Sequence, residues 1–148
     1  MFFGQDRNQI RRFYLEAWRK AEANEALDPM EQLVAEVVAE HPEYHHVLRS
    51  EDRALGRDYL PEEGETNPFL HMGLHIAIRE QVMTDRPGGI ARIHQRLAAA
   101  LGSRMDAEHR MMDCLAEALW HAQRQGGMPD EQAYLACLEG LERSLARG

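Results

Sequence analysis

A chain of 148 residues fits one domain and is long enough to bury an ordinary core without staples. Hydrophobic residues at 44% and charged residues at 28% exclude general disorder, and 25 acidic against 17 basic residues give a net charge of -8 that sets the chain against nucleic acid as a partner. No run of 18 apolar residues occurs, and the N-terminal MFFGQDRNQIRR lacks the apolar stretch and small-residue cleavage site of a signal peptide, so no membrane partner and a cytoplasmic location are expected.

In chain order, Ile10, Phe13, Tyr14, Ala17 and Ala21 recur at helical spacing and predict a first helix over about residues 6 to 24. Arg11, Arg12, Glu16 and Lys20 lie off that stripe and are expected in solvent. In DPME, Asp28 can cap, Pro29 suits the first helical position and Glu31 completes a capping box, which launches a second helix to about His41. Pro42 ends it. The short EYHHVLRS is followed by an acidic stretch over about 50 to 66, punctuated by Gly56, Pro61 and Gly64, which reads as a surface connection.

Asn67 and Pro68 repeat the cap-then-proline pattern and predict a helix to about Met83, after which DRPGG is a turn. Ile90, Ile93, Leu97 and Leu101 trace the next helix, closed by Gly102. Ser103 and Asp106 open a long helix to about Gln125, and Tyr134, Leu138, Leu141 and Leu145 mark the last. With no β-branched alternation, the expected fold is all-α, a single-domain helical bundle of five or six helices over residues 1–148. Cys114 and Cys137 fall on different predicted helices without C-x-x-C spacing, and are expected to be free buried thiols.

Eight histidines raise a metal hypothesis, tested by placing each on its helix at about 100° per residue. His41 continues the apolar face of Met30, Leu33, Val34 and Val37, and so points inward. His71 and His75 share a line with Ile78 and Val82, beside an apolar line of Leu70, Leu74 and Ala77; together they form a face expected to be buried, with the histidines on its wetter half. His94 adjoins Ile90, Leu97 and Leu101 as a semi-buried residue, and the directions of His45 and His46 beyond Pro42 stay open.

Glu108 falls within the core stripe of Met105, Met112, Leu115 and Leu119, with His109 and Asp113 alongside. An ionised carboxylate costs several kcal/mol to bury unless paired or bound to metal, so Glu108 requires a partner. Imidazole and carboxylate are donors for zinc and iron, and bundles present them from facing helices. The expected ligand set is His41, His71, His75, Glu108, His109 and Asp113, holding zinc or iron, with Glu40 or Glu80 able to orient histidines from outside it. No E-x-x-H or H-E-x-x-H motif occurs, so the signal is one of composition and facing.

The segments FYLEAWRK, AEHPEYHHVL, NPFLHMGLHIAIREQ, RPGGI and AEHRMMDCLAEALWHAQRQGGMPDEQAYLACL resemble the uncharacterised bacterial family called domain of unknown function 1841, over about residues 10 to 140. The resemblance implies a small, single-domain, cytosolic bacterial protein and carries no catalytic residue across. Two functions follow: a helical bundle binding a transition metal, or a non-catalytic interaction or structural module, in homodimeric form, whose histidines and Glu108 make buried hydrogen bonds or ion pairs with groups such as Arg79.

Overall fold

The computed structural model describes residues 7–49 and 67–147, so the connection expected over 50–66 lies outside the described residues. The described residues form seven α-helices: α1 (Arg7–Glu22), α2 (Pro29–Ala39), α3 (His45–Leu48), α4 (Pro68–Thr84), α5 (Ile90–Leu101), α6 (Arg104–Gln125) and α7 (Glu131–Arg147). The expectation of five or six is corrected by α3. A single turn after the 3-10 segment Pro42–Tyr44 is too short to leave a periodic apolar signal. None of the described helices is long and apolar enough to cross a membrane.

Local chemistry sets the helix ends. Asp28 accepts from the Glu31 backbone N–H at 2.8 Å while the Glu31 carboxylate accepts from the Asp28 N–H at 3.0 Å, the reciprocal capping box that opens α2. Asn67 accepts from the Phe69 and Leu70 N–H groups ahead of α4, and Ser103 accepts from the Asp106 N–H at 3.1 Å ahead of α6. Gly102 and Gly126, at φ of 69° and 70°, close α5 and α6 in the left-handed conformation that suits glycine. Asp85 takes the Gly89 and Ala91 N–H groups at 3.1 and 3.0 Å, so the PGG turn engages its helix start internally.

The chain divides into two compact units, residues 1–73 and 74–148. In the first, α1 packs on α2 and touches α3. Tyr14 and Ala17 of α1, Leu33, Val34, Val37 and Val38 of α2, Val47 and Leu48 of α3, and Phe69 and Met72 of early α4 are buried. Arg11, expected in solvent, is buried instead: its guanidinium lies 4.8 Å over the Phe69 ring, which in turn stands 5.6 Å from that of Tyr14. A planar, weakly hydrated guanidinium gives up less hydration than an ammonium when it stacks on an aromatic face. Lys20, off the same stripe, reaches Glu31 at 2.8 Å.

In the second unit α5 packs on α6 and α7, which also pack on each other. Ile78, Ile90, Ile93, Leu97, Met111, Met112, Leu115, Tyr134 and Leu138 form its core. Cys114 and Cys137 are joined as a disulfide between α6 and α7, which corrects the expectation of free thiols. Their adjacency comes from α6–α7 packing, which sequence spacing cannot supply.

Candidate metal centre

The apolar face of α2 ends in Val37, and the backbone leaves the helix at His41, whose φ of -125° and ψ of 64° precede Pro42. The side chain continues the buried face, as helix phase predicts, with the imidazole fully enclosed. Its Nδ1–H donates to the Val37 carbonyl at 2.7 Å, which places the ring's lone pair on Nε2. The ring stacks on Tyr44 at 5.7 Å, and His71 meets it edge-on at 4.9 Å. Burial first, then the charge of Glu43, raises the Tyr44 phenol above its ordinary value.

His71 and His75 stand one turn apart on α4, whose buried arc is rotated from the expected one. Leu70 is 61% exposed, whereas Phe69, Met72, His75, Ile76 and Arg79 are buried. His75 is therefore on the dry side and Leu70 on the wet one, the reverse of the hydropathy reading. Packing rewards burial of Phe69 and Ile76, which flank the histidine line from the other side, more than burial of Leu70.

His75 and His109 meet edge-on at 5.3 Å. Glu108, on the core face of α6, does have the partners its burial demands. The His75 Nε2–H donates to its Oε1 at 2.7 Å, Arg79 adds Nη2 and Nε at 3.1 and 3.3 Å, and Oε2 accepts from His94 Nε2 and Arg104 Nε, both at 3.0 Å. Burial pushes the Glu108 carboxyl up, but hydrogen bonds from His75, His94 and Arg104 and the charge of Arg79 outweigh it, holding the group ionised and well below the usual carboxylate range.

Two of the expected ligands meet within each unit: the rings of His41 and His71 at 4.9 Å in the first, those of His75 and His109 at 5.3 Å in the second. Four of the six expected ligands thus stand as two pairs. Glu108 bonds to His75, and Asp113 is exposed on the outer side of α6. Glu40 and Glu80, the expected orienting carboxylates, are also exposed. His45 donates Nε2–H to the Val38 carbonyl at 2.8 Å and lies 4.7 Å from Trp18, while His46 is exposed. Sequence reasoning missed His94 and Arg104 as Glu108 partners; the i,i+4 spacing of Arg104 and Glu108 was the available signal for the latter.

The family model described as "Domain of unknown function (DUF1841)" matches residues 6–140. No curated protein and no solved structure matches the chain.

Proposed function

We propose transition-metal binding, with zinc or iron as the ion, as the function of this chain, which belongs to the DUF1841 family. The observation that supports the reading is two imidazole pairs, His41 with His71 at 4.9 Å and His75 with His109 at 5.3 Å. Imidazole is a donor for both ions. A tetrahedral zinc with Zn–N bonds of about 2.0–2.1 Å spaces its nitrogens about 3.3 Å apart.

Two of the rings already have the tautomer that ligation needs. A ligating histidine ordinarily donates its other N–H to a carbonyl or carboxylate. His41 does so to Val37 and His75 to Glu108. A second reading, in which these groups serve only as buried hydrogen-bond and ion pairs, draws support from the number of donors around Glu108.

Elemental analysis of untagged protein separates the two. Stoichiometric zinc or iron in the wild type, lost in the His71→Ala, His75→Ala double variant, is the expected result. No metal in either protein, with thermal stability unchanged by chelator or added metal, returns the histidines to packing.

A further inference from the structure

Resting on the metal reading above, a second question is what a buried carboxylate beside the His75 and His109 imidazoles does for them. Glu108 is 1% exposed, and five N–H contacts from four residues converge on its two oxygens. A carboxylate has about four lone-pair sites, so these donors leave little basicity for a cation. Arg79 and Arg104 also place two permanent positive charges against it.

The consequence falls on His75. With Nε2–H committed to Oε1 at 2.7 Å, the ring carries its lone pair on Nδ1 and is held at a fixed orientation. We infer that Glu108 is a positioning residue of the centre, restrained by Arg79, His94 and Arg104, and that the ion meets imidazole nitrogen alone. Such a donor set takes a borderline divalent ion such as zinc or iron(II). Hard ions that want carboxylate and water oxygen, magnesium and calcium above all, are rejected.

The test uses the full chain stripped of metal, titrated with Zn²⁺ against a coloured chelator and with Co²⁺ by visible absorption. Glu108→Gln is expected to weaken Zn²⁺ binding about ten- to hundred-fold while the Co²⁺ bands keep their wild-type form, because a positioning group is lost and a ligand is not. Equal Zn²⁺ affinity in wild type and Glu108→Gln, or Co²⁺ bands that report a changed ligand number, overturns the inference. So does Mg²⁺ binding as tight as Zn²⁺ in the wild type. A wild type that binds neither Zn²⁺ nor Co²⁺ sinks the metal reading itself, and is thereby distinguishable. Where Glu108→Gln does not fold, the His94→Ala, Arg104→Ala double variant decides: a smaller loss of Zn²⁺ affinity with unaltered Co²⁺ bands supports the role, and unchanged affinity refutes it.

Discussion

His75 donates to Glu108 at 2.7 Å across 33 residues of sequence, and neither side chain exceeds 1% exposure. Arg79, 4% exposed, shares the same oxygen. Removing one partner of a buried ionic group costs about 3–5 kcal/mol, because the others lose their compensation. Glu108→Ala is expected to lower unfolding stability by that amount in urea titrations, with Arg104→Ala, at the exposed end of the network, costing about 1 kcal/mol or less. A Glu108→Ala loss below 1 kcal/mol would show that the network holds little of the fold.

Metal loading should be visible as stability. An ion present at a hundred times its dissociation constant adds about 2.7 kcal/mol. For a chain of this length that is a rise in Tm of about 5–10 °C. Differential scanning calorimetry with saturating Zn²⁺ and with chelator should show the difference in the wild type. The His71→Ala, His75→Ala variant should show none, and a matching rise there would place the ion elsewhere.

The capping box at α2 makes a local and pH-dependent prediction. The Asp28 N–H and then the Lys20 ammonium hold the Glu31 carboxyl below its usual range. A depressed folded value means that stabilisation is present above the unfolded value, about 4.3, and is lost as pH falls through the lower folded value. Amide-exchange protection at Asp28 should therefore be flat near neutrality and decline below about pH 4. Asp28→Ala should cost about 1 kcal/mol at neutral pH, read by thermal unfolding.

The Cys114–Cys137 bridge closes a loop with a sequence separation of 23 residues. Chain-entropy reasoning assigns such a closure about 3 kcal/mol. Denaturant unfolding with and without reductant should differ by roughly that amount, and thiol titration of the unfolded, unreduced protein should find no free cysteine. Two titratable thiols before reduction would remove the bridge from the account.

Elements and their ends were legible because they rest on neighbours within four positions. The DPME box, the Asn67–Pro68 start, Ser103 ahead of α6 and the Gly102 cap each state their geometry locally. The inward lean of His41 and the need of Glu108 for partners were legible too, since helix phase alone sets both. The single turn of α3 was not, because four residues carry no period.

What the sequence by itself determined is thus a set of helices, their caps and a list of inward polar groups in need of compensation. Only the tertiary structure decided that α4 turns His75 inward and Leu70 outward, that Arg11 lies on Phe69, that Cys114 meets Cys137, and that His75 meets Glu108 while Asp113 faces solvent. Each of these depends on which helix is packed against which, at separations of 23 to 58 residues in the bonded or stacked pairs. Periodicity fixes the phase of a side chain within its own helix to about one position, and the difference between a buried imidazole and a buried leucine is one position on α4.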